Sequence, residues 1–156
     1  MALTYSSMLD LQTNLINFKL HNVVDNNNFS SSDLNTSKPT IIMFICNHCP
    51  YVKAIIRDLT KDCNDLKKNG VNSVAIMSND TKNYPEDSFE NMVEFAKKNE
   101  FNFPYLSDET QAIAKTYGAV CTPDFFGYNK NLELKYRGRL RELKNLVPIK
   151  EGLVIY

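Results

Sequence analysis

Residues Thr40 to Ile45 read TIIMFI, an almost unbroken apolar and β-branched run. A strand with no polar alternation suits burial on both faces, as in a parallel sheet. From Pro50 the period changes. Val52, Ile55, Ile56, Leu59, Cys63 and Leu66 recur at helical spacings and define one apolar face. Lys67, Lys68 and then Gly70 make a helix stop with a basic last turn. Val71 to Met77, VNSVAIM, returns to strand character. The result is a strand–helix–strand unit, whose crossover is right-handed in nearly all known cases.

Beyond Met77, SFENMVEFAKKN predicts a second helix with Phe89, Met92, Val93 and Ala96 on one face and Ser88 as N-cap. FPYLSD predicts a short strand, and ETQAIAKTYG a short helix ended by Gly118. DFFGY and LELKYRG flank the loop NKN and predict an antiparallel hairpin. The polar stretch NVVDNNNFSSSDLNTSKP predicts a loop or loose hairpin with no function of its own. A parallel unit followed by a hairpin implies an α/β fold with a mixed central sheet and helices on both faces.

The 156 residues are expected to form a single domain spanning 1–156, and at 43% hydrophobic they can bury a core without disulfides. Eighteen basic and 18 acidic side chains cancel, which removes any global electrostatic case for nucleic acid or an anionic membrane as partner. The N-terminus lacks a basic n-region and a continuous apolar stretch, so no secretory signal is expected. The expected location is cytoplasmic. In a reducing compartment the four cysteines, Cys46, Cys49, Cys63 and Cys121, are not expected to form stable structural disulfides.

The chemistry centres on FICNHCPYVK, residues Phe44 to Lys53. Cys46 falls at the carboxyl end of the buried strand, and Cys49 and Pro50 open the helix. Helix-start N–H groups favour an anion, and a thiolate is one. A Cys-x-x-Cys spacing there lets the second sulfur reach the first, as thiol–disulfide exchange requires. Cys46 is expected to be the exposed, low-pKa nucleophile and Cys49 its buried partner. His48 either stabilises the Cys46 thiolate or is a solvent-facing bystander. Zinc is disfavoured, because one pair, a distant Cys121 and two histidines do not make a structural ligand set. No metal and no cofactor are expected. Cys63 lies on the apolar helix face and reads as core. Asn79 and Asp80, in SNDTKNYPEDS, either line a groove or shape the entry to the second helix; the second reading is preferred.

MFICNHCPYVK, SNDTKNYPEDSFENM, FPYLSDETQAIAKTYGAVCTPDFF and KYRGRL together resemble the thioredoxin-like proteins of the AhpC/TSA (redoxin) family, in the subgroup with Cys-Asn-His-Cys-Pro and Cys-Thr-Pro-Asp-Phe-Phe motifs. The resemblance implies a thioredoxin-like fold with an N-terminal extension. It implies that Pro123 is the cis-proline of that fold, that the Thr122–Pro123 loop binds substrate beside the cysteines, and that Thr122 faces Cys46. Cys121 becomes either a third redox thiol or a small buried side chain.

Some features depart from the family. Ile45 stands where thioredoxins carry tryptophan. Thr40 stands near the place of their buried acid, so proton transfer must be assisted from elsewhere, with His48 and Asp124 as candidates. Cys46 occupies the position of the peroxiredoxin threonine, three residues before the peroxide-reactive cysteine. After KYRGRL, Pro148 interrupts a short tail, so a closing C-terminal helix is expected to be missing or shortened, leaving apolar surface uncovered.

The leading expectation is a thiol–disulfide oxidoreductase in which Cys46 attacks a protein or small-molecule disulfide, Cys49 resolves, and an external thiol reductant closes the cycle. The alternatives are an antioxidant thiol peroxidase acting on hydroperoxides and a non-catalytic redox-sensing module.

Overall fold

The computed structural model describes residues 14–34, 37–119 and 121–139, and the backbone of three short strands at 142–144, 147–150 and 154–155. The predicted unit is present as strand β3 (Thr40–Phe44), helix α1 (Pro50–Lys68) and strand β4 (Asn72–Met77), with β3 and β4 parallel. Before it lies a hairpin of β1 (Lys19–Asn22) and β2 (Asn27–Ser30). After it come α2 (Phe89–Lys98), β5 (Tyr105–Ser107), α3 (Ala112–Tyr117) and the hairpin β6 (Asp124–Tyr128) and β7 (Leu134–Arg139). The chain then adds β8 (Glu142–Lys144), β9 (Val147–Lys150) and β10 (Val154–Ile155). The main sheet runs β10-β7-β6-β3-β4-β5-β1-β2, and β8 and β9 form a separate antiparallel pair. β4 pairs with β5 in parallel, whereas β6 runs antiparallel to β3, so the sheet is mixed as expected.

Side-chain alternation along β3 explains its unbroken apolar run. Met43 and Ile45 point to the face covered by α1 and α2, where they meet Val52, Ile55, Leu59 and Met92. Ile42 and Phe44 point to the other face, against Tyr117 of α3, Phe126 and Phe18. Both layers need apolar residues, so the strand is apolar from Ile41 on, and its first residue, the buried Thr40, accepts from the Asn72 side chain. Phe18 belongs to the N-terminal extension, which Leu15 ties to the β6–β7 loop by donating its backbone N–H to Leu132 O at 2.8 Å.

Two expectations change. Phe89 is 37% exposed, with its ring against that of His21 from β1, because it is the first residue of α2, whose buried face is carried by Met92 and Ala96. The polar segment after Leu20 is not an idle connection: β1 extends the sheet by pairing with β5. Any surface left uncovered by the tail lies outside the described side chains; among the described residues no helix follows β7. No helix among the described residues is long and apolar enough to cross a membrane.

Gly70 ends α1 with φ +78°, the left-handed conformation that closes a helix. A Cβ there would meet nothing within 4 Å, so substitution costs backbone energy alone. Gly70→Ala is expected to destabilise the protein by about 1 kcal/mol, read as a lower urea midpoint with an unchanged slope.

Candidate active site

The end of β3 and the start of α1 deliver both cysteines. Cys46 follows β3, and Cys49 is the N-cap of α1, with Pro50 in the first helical turn. That proline fits because its missing N–H lacks an intrahelical partner there. The two thiols hydrogen-bond to one another. Across from them lies the segment entering β6, where the Thr122–Pro123 bond is cis. Thr122 spans the pair: its hydroxyl lies 3.5 Å from Cys46 Sγ, and its carbonyl accepts from Cys49 Sγ at 3.4 Å. Thr122 therefore faces Cys46, as the resemblance implied. Cys121, one residue earlier, is half-buried.

The expected exposure of Cys46 does not hold. Cys46 is not exposed; both cysteines are fully buried. The hydrogen bond with Cys49, burial and the nearby Asp87 charge raise the Cys46 thiol above the ordinary range, outweighing the Thr122 hydroxyl. Cys49 moves down. The Cys46 hydrogen bond is the main cause, and Thr122 and the backbone N–H groups of Val52 and Tyr51 add to it against burial. The sequence places both cysteines near the helix start, and Cys49 is the residue that caps it.

Asp87 is the site residue that sequence reasoning missed. It is fully buried and comes from a single 3-10 turn, Pro85–Asp87, between β4 and α2. Its Oδ1 accepts the backbone N–H of Asn47 at 2.7 Å and of His48 at 3.3 Å. Its Oδ2 accepts Asn79 Nδ2 at 2.9 Å and lies 2.5 Å from His48 Nδ1. His48, 20% exposed, also stacks on Tyr84, with ring centroids 4.9 Å apart. It is thus neither a free solvent-facing residue nor a partner of Cys46 alone. Asn47 anchors the turn from the other side: its Oδ1 accepts the buried Tyr105 hydroxyl at 2.7 Å. Burial, followed by the charges of Cys46 and Asp87, pushes that hydroxyl well above its usual range. The available sequence signal was SNDTKNYPED, leaving a buried strand at the cysteine end of the sheet.

Asp124 is not the missing acid. It is buried in an ion pair with Arg137 at 2.8 Å, and Arg137 also donates to Gly118 O at 2.8 Å and lies 4.5 Å from the centre of the Phe126 ring. Asn79 supports Asp87. Asp80 instead shapes its own loop, accepting the backbone N–H of Lys82 and the side-chain amide of Asn83. Cys63 is core, 2% exposed, and burial pushes its thiol up to about 11.

Cys46 Sγ, a ring nitrogen of His48 and a carboxylate oxygen of Asp87 lie within 4.8 Å of one another, the one such trio among the described residues. It is the set that could receive a cation. His48 Nδ1 and Asp87 Oδ2 are hydrogen-bonded at 2.5 Å, whereas two ligands of one tetrahedral zinc ion stand roughly 3.4 Å apart. Asp87 is already engaged by four N–H groups. The trio would have to open to hold a metal.

Comparison with known proteins follows the same lines. An uncharacterized conserved protein from Geobacillus kaustophilus is similar over 93% of this chain and 77% of its own, with 45% identity and a TM-score of 0.89. A hypothetical protein from Sinorhizobium meliloti is 36% identical over 91% of this chain and 77% of its own, with a TM-score of 0.87. A secreted Mycobacterium tuberculosis disulfide oxidoreductase shares the fold at 21% identity over 76% of this chain and 80% of its own, with a TM-score of 0.63. No curated protein matched the chain. The fold is thioredoxin-like. With the family pattern matching residues 11–142, the chain belongs to the AhpC/TSA family.

Proposed function

We propose that the protein is a thiol–disulfide oxidoreductase working through Cys46 and Cys49. The observation that carries this reading is the facing pair of sulfurs with Thr122 spanning both. Exchange needs a nucleophilic sulfur, a second sulfur able to reach the first, and a surface that aligns the incoming disulfide. The pair supplies the first two, and the Thr122–Pro123 segment is assigned the third. The His48–Asp87 pair stands close enough to take the proton of the second thiol. No bound cofactor is required. The oxidised pair is returned to the dithiol by an external thiol reductant, which suits a cytoplasmic setting. Cys121 is assigned no step, although its neighbour Thr122 contacts both sulfurs.

A thiolate favoured at Cys49 exists only in the dithiol state, so its stabilisation favours the reduced pair and raises the potential. The test is turnover of a protein disulfide and of a small aromatic disulfide with dithiothreitol as reductant, beside consumption of hydrogen peroxide under the same conditions. Disulfide reduction exceeding peroxide consumption is expected. The reverse would favour the thiol peroxidase reading, which the helix amides at Cys49 also suit. Absence of both activities would leave a redox-sensing module.

A further inference from the structure

We infer that the groove between α1 and α2, at the turn that carries the cysteines, binds the reductant, a low-molecular-weight peptide thiol with two carboxylates and one ammonium group. The inference names the external thiol of the exchange reading and rests on that reading for its role in turnover.

Two helical edges make the groove. Lys53, Ile56 and Arg57 recur along one edge of α1, and Glu94, Phe95 and Lys98 along the facing edge of α2. Beneath them both helices pack on one core through Val52, Ile55, Met92 and Ala96. Ile56 and Phe95 supply the apolar part of the lining, and Asn47 and His48, the two residues between the cysteines, close its head. The cavity has a volume of about 610 Å³, within the roughly 300–1,000 Å³ of small-molecule sites. A ring nitrogen of His48 lies within 4.8 Å of Cys46 Sγ. A ligand that fills the groove to its head therefore brings one end to the sulfur pair.

Charge selects the occupant. Lys53, Arg57 and Lys98 are exposed, as are Glu86 and Glu94 on the same walls. The ion pairs among the described residues are His48–Asp87 and Asp124–Arg137, so none of these five charges is matched within the described chain. The neutral amides on the walls are committed: Asn91 donates to Pro85 O, Asn99 to Phe95 O and Asn47 to Glu86 O. A purely anionic ligand would meet the two glutamates, and a cationic one the three basic side chains. Two carboxylates with one ammonium group answer both signs, and the single net negative charge answers the basic excess. Burial points the same way. Neither cysteine sulfur is exposed, and a thiol on a thin, flexible chain reaches a recessed disulfide more readily than one fixed on a folded surface.

The bound thiol, as its thiolate, attacks one sulfur of the oxidised pair. A mixed disulfide forms, and the other cysteine leaves as a thiolate. A second thiolate of the same kind attacks the ligand sulfur of the mixed disulfide and releases the remaining cysteine. The two cysteines take up the two protons that the thiols gave up. The pair gains two electrons, and the two thiols lose two as they become a disulfide.

Two measurements on the full chain test this. The first is binding of S-methylglutathione to the reduced protein, since this thioether carries the three charges but cannot exchange. Amide NMR shifts are expected to gather on α1 and α2 around Lys53, Arg57 and Lys98. The triple variant Lys53→Gln, Arg57→Gln, Lys98→Gln is expected to weaken binding about tenfold, each exposed charge pair being worth up to about fivefold. No binding, shifts confined to other surfaces, or an unchanged affinity in the folded variant overturns the inference. The second is the rate at which glutathione, mercaptoethanol and cysteamine reduce the oxidised pair. Each thiol is compared between the unmodified protein and the triple variant, so that its intrinsic reactivity cancels. Anionic glutathione is expected to slow, through a higher half-saturating concentration. Neutral mercaptoethanol should not change, and cationic cysteamine should speed up. An equal change for all three overturns the inference and leaves exchange intact. Reduction by none of them, with S-methylglutathione still bound between α1 and α2, would support the site and sink the exchange reading instead.

Discussion

Serine at either position of the pair is expected to bring disulfide turnover to the uncatalysed rate, and the two variants are expected to fail at different steps. Cys46→Ser keeps the sulfur at the α1 N-cap, whose thiol lies below its ordinary range. That thiolate can open a substrate disulfide, but nothing remains to release it, so a stable mixed disulfide through Cys49 should accumulate and be visible as an added mass. Cys49→Ser keeps the sulfur that lies beside Asp87 and has lost its redox partner. It should react slowly at neutral pH and trap little. The Cys49 thiol sits below its ordinary range, so trapping in Cys46→Ser should persist at mildly acidic pH and fade only as that thiolate is protonated. Equal trapping by both variants, or trapping only through Cys46, would overturn this expectation.

Much of the fold was open to a reading of the residues alone, and the reason is local. TIIMFI has to be buried on both faces, VxxIIxxL has to be helical, and DFFGY–NKN–LELKYRG carries its own turn, so each element signals its partner over a short span. The cysteine pair was legible for the same reason: four consecutive residues place it between a strand and a helix. Asp87 was not. It meets the pair from 40 residues away, and its part depends on one short turn pointing a side chain back at the end of β3. Nothing in YPEDS separates an aspartate that caps a helix from one that grips the backbone of a distant loop. Asp124 misled for the converse reason. Its place beside Pro123 suggested chemistry, while Arg137, which occupies it, lies on the neighbouring strand.

The Asp124–Arg137 pair carries the largest expected effect on stability. Both side chains are fully buried, and the guanidinium is held by the carboxylate at 2.8 Å, by Gly118 O at 2.8 Å and over the Phe126 ring. Taking two charges out of water costs energy that their mutual attraction returns only while both are present. Arg137→Met is therefore expected to destabilise the fold by about 3–5 kcal/mol, because the Asp124 carboxylate is left buried without its counter-charge. Arg137→Lys should recover part of the loss, since Nη2 alone serves both Asp124 and Gly118 and an ammonium keeps the counter-charge and can donate to both. The double change Asp124→Leu with Arg137→Met should be far less damaging than either single change. An isolated buried charge is the costly state, and apolar replacement of the whole pair is often neutral. Thermal unfolding reads this as a fall on the order of 10 °C in Tm for the single variants, with most of it recovered in the double. The consequence reaches the active site through the chain itself. Asp124 opens β6 directly after Pro123, and it pairs in register with Phe44, two residues before Cys46. Strand β6 is thus clamped beside β3 at the point where Thr122 meets both sulfurs. A folded single variant should lose disulfide turnover at temperatures below its unfolding, while the double variant, with β6 packed again, should regain it. Equal activity in all three would mean that the Thr122 loop is held by its own hydrogen bonds to the pair and owes nothing to the buried charges behind it.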